Sequence, residues 1–359
     1  MQDRGYRAEV DDAGALVPYG WDDATEANLS DAVLAAGWDP DDVVAGRVVR
    51  TSRRFTYVGC ADGLVQATAP RELHPAPVAG DWVALRPGTE ETGIPVVAVA
   101  ERTSAVVRRD PAGGTEGQVL AANVDVVLAV FGLDRPLRAG RVERSMVIAH
   151  DSGAEPVVVL TKADTVEHAV VAEAVDDVRR LAGGAEVVVV SAAEGSPAVG
   201  PVADLLRPHR TAVLVGESGA GKSTLVNALA GREVQRTASV RGTDAKGRHT
   251  TVTRDLVVLD AGGVVIDTPG LRALGLVDTS AGVDATFDDI AELAEGCRFR
   301  DCAHRGEPGC AVAAAVAAGD LAPDRLERYL AVRDEIAEAG RVVTEAARRP
   351  RGRPAPPPD

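Results

Sequence analysis

GESGAGKST, residues 216–224, constrains the fold of this chain more than any other stretch. It fits G-x-x-x-x-G-K-[ST], follows the apolar run TAVLVG and opens the helical pattern KSTLVNALAG. A strand, a glycine-rich loop and a helix N-terminus in that order turn successive backbone N–H groups toward one point, which suits phosphate. Gly216 and Gly221 permit the tight wrap, with Glu217, Ser218, Gly219 and Ala220 between them. Lys222 is expected to reach the β- and γ-phosphates, Ser223 to ligate Mg²⁺, and Thr224 to complete the cradle. Only three of the 39 basic residues are lysines, and two of them, Lys162 and Lys222, fall in nucleotide-type motifs. A compact ammonium suits a phosphate cradle better than a planar guanidinium.

The strand environment extends around this loop. VDVVLAVF, EPVVVLTKAD, AEVVVVSA, DLVVLD and GVVIDTPG are β-branched runs of buried-strand type, alternating with AGRVERSMVIAHD and EHAVVAEAVDDVRRLAGG. The alternation predicts a mostly parallel sheet with helices on both faces. DTPG, residues 267–270, ends one strand, so Asp267 can hold the magnesium through water and the Gly270 N–H can meet the γ-phosphate. In TKAD, the Asp164 carboxylate can accept from guanine N1 and N2, and the Lys162 stem can lie along the base. Thr161 stands where asparagine is commoner. Ser191-Ala192 follows the next strand and can offer the Ala192 N–H to guanine O6. KGRHTTV, residues 246–252, lies where a nucleotide-sensing switch belongs, and Thr251, in preference to Thr250, is the candidate magnesium ligand there. Leu271 follows DTPG, and an apolar side chain cannot orient a water. His249 is the nearest replacement, either as the catalytic group or as an RNA contact.

The base-reading motif precedes the phosphate loop, the reverse of the common order. A parallel sheet can be cut and rejoined without moving its strands, so both halves can still meet at one site. Before the sheet, residues 43–110 hold VVAGRVVRT, RRFTYVGCADG, LVQATAP, GDWVALRPG and PVVAVAER, five short strands that predict a small barrel, oligonucleotide-binding or SH3-like. Cys60 reads as a small core residue of that barrel. After the sheet, CRFRDCAHRGEPGC places Cys297, Cys302, His304 and Cys310 at C-x4-C-x-H-x5-C, which suits one structural Zn²⁺. The alternative is a disulfide framework, less suited to a chain with nucleotide motifs.

Together these motifs resemble the circularly permuted GTPases, and with the barrel and the cysteine knot they resemble the small-ribosomal-subunit-dependent GTPase A family over residues 43–335. The resemblance implies GTP hydrolysis stimulated by the small ribosomal subunit and docking on that subunit late in its maturation. It also supports His249 as catalytic. The short run of chain from DTPG to the cysteine knot adds the expectation that GTP favours an RNA-gripping state and hydrolysis to GDP releases it. The expected organisation is multidomain: an acidic extension (1–42), an OB-like β-barrel (43–110), a circularly permuted P-loop α/β GTPase domain (111–280), a zinc-binding helical domain (281–340) and a basic Pro-rich tail (341–359). The net charge of −15 does not announce nucleic acid, yet residues 46–55 carry Arg47, Arg50, Arg53 and Arg54 without an acid, and residues 232–254 are also basic. These patches are the expected RNA contacts. No signal peptide or membrane-length apolar run is visible, so the expected setting is a cytoplasmic monomer. The competing readings are a nucleotide-gated RNA-binding module with incidental hydrolysis, and a permuted GTPase of large-subunit assembly. Asp164 disfavours an ATPase.

Overall fold

The computed structural model describes residues 12–87, 93–108, 117–192, 196–234, 255–267 and 280–348. Its contacts divide the chain into two compact units, residues 1–106 with 119–273, and residues 107–118 with 274–359.

In the first unit, β1 (Val44–Thr51), β2 (Thr56–Cys60), β3 (Gly63–Thr68), β4 (Trp82–Leu85) and β5 (Ile94–Val99) close into a barrel in the order β1-β2-β3-β5-β4. Inward positions supply its core of Val48, Val58, Cys60, Ala67, Val83, Leu85 and Val96. All pairs are antiparallel except β3 with β5. A meander has no parallel pair, so the topology is the Greek-key, oligonucleotide-binding kind rather than the SH3-like alternative.

The described part of the acidic extension, residues 12–42, packs on this barrel. It carries α1 (Asp12–Leu16) and α2 (Asp23–Ala35), the latter capped by the Asp22 carboxylate, which accepts from the Thr25 N–H at 2.8 Å. Leu29 and Val33 of α2 bury against Trp82, Ala84, Ala98 and Ala100 on the barrel's outer wall. Asn28 brackets the end of β5, donating to the Glu101 carbonyl and accepting from its N–H at 2.9 Å each.

Arg47 corrects one expectation. It is only 2% exposed. Its Nε donates to the Gly80 carbonyl at 3.2 Å, Nη2 to the Asn123 carbonyl at 3.0 Å and Nη1 to the Tyr19 carbonyl. The guanidinium also lies 5.0 Å from the centre of the Trp82 ring. A side chain spent on three carbonyls from extension, barrel and the entrance to the sheet is a staple and not an RNA contact. Burial lowers its pKa to about 10, which leaves it charged at neutral pH. Arg50 is also engaged, over the Tyr57 ring and 3.7 Å from Asp255, whereas Arg53 and Arg54 are exposed.

A two-stranded ribbon, β6 (Ala105–Arg108) and β7 (Gln118–Ala122), comes next in the chain. The sheet follows: β8 (Val126–Gly132), β9 (Glu155–Thr161), β10 (Glu186–Val189), β11 (Thr211–Val215), β12 (Asp255–Val258) and β13 (Val264–Asp267), ordered β10-β9-β8-β11-β13-β12. It is parallel throughout except for the edge pair β12–β13. β8 and β11 are buried along their whole length, as central strands covered on both faces must be. The helices in this part are α3 (Ala139–Asp151), α4 (His168–Leu181), α5 (Gly200–Leu205) and α6 (Lys222–Ala230).

The second unit carries α7 (Ser280–Thr286), α8 (Asp288–Ala294), α9 (Ala311–Ala318) and α10 (Pro323–Arg348). Phe287 meets Tyr329 edge to face at 5.4 Å. Arg325 locks the corner, lying 4.4 Å from the Phe287 ring centre, 3.0 Å from Asp289 and 2.9 Å from the Thr286 carbonyl to which it donates.

Candidate nucleotide site and metal centre

The parallel strands β8, β9, β10, β11 and β13 end at Gly132, Thr161, Val189, Val215 and Asp267, along one edge of the sheet. Loops leaving this edge are where an open α/β sheet binds ligands. The loop after β11 shows why glycine is needed. At Gly216, with φ +141°, an added Cβ would lie 2.3 Å from the Val130 carbonyl oxygen. At Gly221, with φ +94°, it would lie 3.0 Å from the Thr161 hydroxyl. Gly221 is also the N-cap of α6 and offers no side-chain cap, and a helix N-terminus is a place where backbone N–H groups meet anions. Lys222 Nζ donates to the Gly216 and Glu217 carbonyls at 2.7 and 2.6 Å. Ser223 and Thr224 follow in the first turn of α6, Ser218 and Gly219 are exposed at the loop's apex, and Glu217 pairs with Arg141 of α3.

TKAD meets this loop directly. Thr161 is 1% exposed, and its hydroxyl donates to the Ala220 carbonyl at 2.6 Å while lying 3.3 Å from the Phe131 carbonyl. The brace expected of an asparagine is thus made by a threonine. Thr161→Val removes this donor and leaves a buried carbonyl unpaired, a cost of about 1–3 kcal/mol. Nucleotide affinity measured by calorimetry should fall about fivefold or more, whereas Thr161→Asn should retain it. Equal affinity in the valine variant would remove the brace from the account.

Lys162 takes a left-handed conformation, φ +62°, and its Nζ lies 2.7 Å from Asp134 Oδ2. The hydrogen bond from Lys162 holds the Asp134 carboxyl below the usual carboxylate range. Asp164 stands exposed in the short 3-10 turn Ala163–Thr165. The loop with Ser191 and Ala192 is tied to β9 by the Val190 N–H, which donates to the Leu160 carbonyl at 2.8 Å, and Ala192 is buried. Asp267 ends β13, the neighbour of β11 opposite β8. Lys246, His249, Thr250, Thr251, Gly270 and Leu271 lie outside the described residues. Asp134 and Arg135, absent from the sequence-based set, join the site from the loop after β8. The signal was their place: β8 is a third buried strand ending between the two motif-bearing strands.

The second centre lies in the other unit. Cys297, Cys302, His304 and Cys310 place their ligand atoms within 4.8 Å of one another. His304 Nδ1 lies 3.6 Å from Cys297 Sγ and 3.5 Å from Cys310 Sγ, and the two sulfurs are 4.0 Å apart. Tetrahedral zinc gives ligand edges of about 3.5 Å between sulfur and nitrogen and about 3.8 Å between sulfurs. The donor set fits such an ion. Backbone N–H groups of Ala311 and Ala313, at the start of α9, donate to the sulfurs of Cys297 and Cys310 at 3.3 Å each, which favours thiolates. Burial holds the His304 imidazole below its ordinary pKa, favouring the neutral ligand form. The disulfide alternative finds no support: none of these cysteines is paired in a disulfide.

A parallel α/β sheet with a glycine-rich, lysine-bearing loop, in which the TKAD-bearing strand precedes that loop in the chain yet abuts it in space, has the arrangement of a circularly permuted P-loop GTPase. The RsgA GTPase family profile matches residues 99–277. "Small ribosomal subunit biogenesis GTPase RsgA" of Streptomyces coelicolor is 45% identical over 344 residues, covering 94% of this chain and 90% of that relative. The chain belongs to the RsgA GTPase family, and its activity is GTP hydrolysis. The crystal structure of YjeQ from Thermotoga maritima matches 82% of this chain and 99% of its own, with a TM-score of 0.61 at 25% identity. That of YloQ, titled a circularly permuted GTPase, matches 83% of this chain and 96% of its own, with a TM-score of 0.60 at 23% identity, and shares the fold. No helix among the described residues is long and apolar enough to cross a membrane.

Proposed function

We propose that this GTPase acts in maturation of the small ribosomal subunit, binding its rRNA with GTP and leaving after hydrolysis to GDP. The observation that carries the nucleotide half of this reading is the Thr161–Ala220 hydrogen bond, which makes one site of two motifs. The relative from Streptomyces coelicolor, named for small-subunit biogenesis and covered almost end to end, supports the partner.

In this reading Asp164 accepts from guanine N1 and N2, Ala192 donates to O6 from the loop with Ser191, and the Lys162 stem supports the base. Residues Gly216–Thr224 cradle the phosphates, with Lys222 on the β- and γ-oxygens and the Gly270 N–H on the γ-phosphate. Ser223, Thr251 and Asp267 hold Mg²⁺, which when bound offsets charge on those oxygens. His249 positions the attacking water that Leu271 cannot. Cys297, Cys302, His304 and Cys310 hold a structural Zn²⁺. The protein works as a cytoplasmic monomer with the five segments given above, residues 12–42 of the extension serving as an outer layer of the barrel. Arg53, Arg54, the basic run of residues 232–254 and the zinc-bearing helical domain meet rRNA.

GTP turnover titrated separately with purified small and large subunits tests this. Small subunits should raise turnover roughly a hundredfold, less than an arginine finger supplies. His249→Ala should keep nucleotide binding and lose that stimulation. Stimulation by large subunits instead would reassign the partner. No stimulation, with GTP still controlling small-subunit binding, would leave a nucleotide-gated RNA-binding module.

A further inference from the structure

An anion-binding loop must turn its N–H groups inward, and its carbonyl oxygens then face outward and need donors of their own. Every carbonyl from Gly216 to Ala220 has one. Lys222 serves Gly216 and Glu217, and Thr161 serves Ala220. The two apical carbonyls, Ser218 and Gly219, receive Nη1 and Nη2 of Arg135 at 3.4 Å each. The planar fork of a guanidinium suits two adjacent carbonyls better than an ammonium does. Arg135 is in turn oriented by Asp134, whose Oδ1 lies 3.4 Å from its Nε. The other oxygen of the same carboxylate holds the Lys162 ammonium at 2.7 Å. Close packing at Gly132 fits the same arrangement: a Cβ there would fall 2.6 Å from Asp134 Oδ1 and 3.5 Å from the Lys162 stem.

We propose that Asp134 and Arg135 form a charged latch that registers the TKAD loop against the apex of the phosphate loop, making both of them positioning residues for the nucleotide. The proposal rests on the reading of this edge as the guanine-nucleotide site. Lys162 takes a left-handed backbone that an L-residue adopts only when its surroundings hold it. The Thr165 N–H and hydroxyl donate to its carbonyl at 3.0 and 2.7 Å, and Asp134 fixes the other end of the residue. With both ends fixed, the turn that carries Asp164 keeps its place before nucleotide arrives. The latch adds no contact particular to the transition state, so its loss acts on affinity and not on the chemical step.

The test is a double-mutant cycle with Asp134→Asn, Arg135→Ala and the pair, read by GDP and GTP dissociation constants and by turnover at saturating GTP. Both side chains are about a third or more exposed, so the fold is not at stake, and Asp134→Glu provides a variant that keeps the charge. Each single substitution should weaken GDP and GTP binding alike by roughly three- to fivefold, with saturated turnover held. The double variant should be no worse than the worse single, because one latch is broken either way. Asp134→Glu should bind close to the unsubstituted protein, and the gap between that protein and Asp134→Asn should narrow in high salt. Additive losses, a loss confined to turnover, or unchanged affinity in the singles would overturn the latch. Asp164→Ala in the same assay separates the two levels: if it leaves the preference for guanine over adenine nucleotides intact, the reading of the site has failed, and not the latch alone.

Discussion

Lys222→Ala should bind guanine nucleotides about a hundredfold more weakly than the unsubstituted protein, a loss of about 2.7 kcal/mol. Two effects combine. The ammonium that would meet the phosphate oxygens is gone, and so are the hydrogen bonds it makes to the Gly216 and Glu217 carbonyls, which hold the first half of the loop in its wrap. The loss should be greater for GTP than for GDP, because the lysine is read as bridging the β- and γ-phosphates. The fold should survive. The sheet beneath is buried through β8 and β11, and the loop itself is half open to solvent. Titration of the variant with a fluorescent GDP, beside a thermal melt, checks both parts. An affinity within threefold of the starting protein, at an unchanged melting temperature, would take the phosphate role from this residue.

The motifs were legible because their chemistry is local. A glycine loop between a strand and a helix, or four ligands within fourteen residues, declares itself without knowledge of the partner strands. The parallel sheet was equally legible, since strands covered on both faces become continuous apolar runs. What the sequence concealed depended on register and on distant segments. The parallel β3–β5 pair that selects the barrel topology leaves no mark in either strand. GRVVRTSRRF reads as one basic patch, yet β1 sends Arg47 into the interior against Trp82 and turns Arg50 toward Asp255, leaving only Arg53 and Arg54 exposed. Only the carbonyls of Tyr19, Gly80 and Asn123, far apart in the chain, reveal that Arg47 is a staple. The acidic composition of the extension hides its packing role, although Leu29 and Val33, one turn apart, seat α2 on the barrel. Thr161 stands where asparagine is commoner, and its hydroxyl reaches the Ala220 carbonyl at 2.6 Å. Bracing needs one donor at one place and not an amide.

Loss of the proposed zinc should have the largest effect on folding, and it should be confined to the second unit. The segment between α8 and α9 has no regular element of its own, and it packs few apolar side chains. Its path is set by Cys297, Cys302, His304 and Cys310, with Glu307 accepting from the N–H groups of Ala303 and Arg305 at 3.0 and 2.7 Å. Structural zinc contributes about 10–16 kcal/mol of apparent binding free energy, far more than a segment of this size can draw from packing. Cys302→Ala removes one ligand of four and should reduce bound metal from one zinc per chain to a small fraction of that. Chelation of the unsubstituted protein should give the same product. The helical signal of α8 and α9 should fall and the segment between them should become open to protease, while guanine-nucleotide affinity stays, because its residues belong to the other unit. Acid should mimic the chelator, since the thiolates and the imidazole bind protons in competition with metal. Metal content by mass spectrometry, followed along a pH titration with far-UV circular dichroism, checks these together. A variant that keeps one zinc per chain, or a metal-free protein that melts like the loaded one, would show that the cysteine knot is held by something other than a metal.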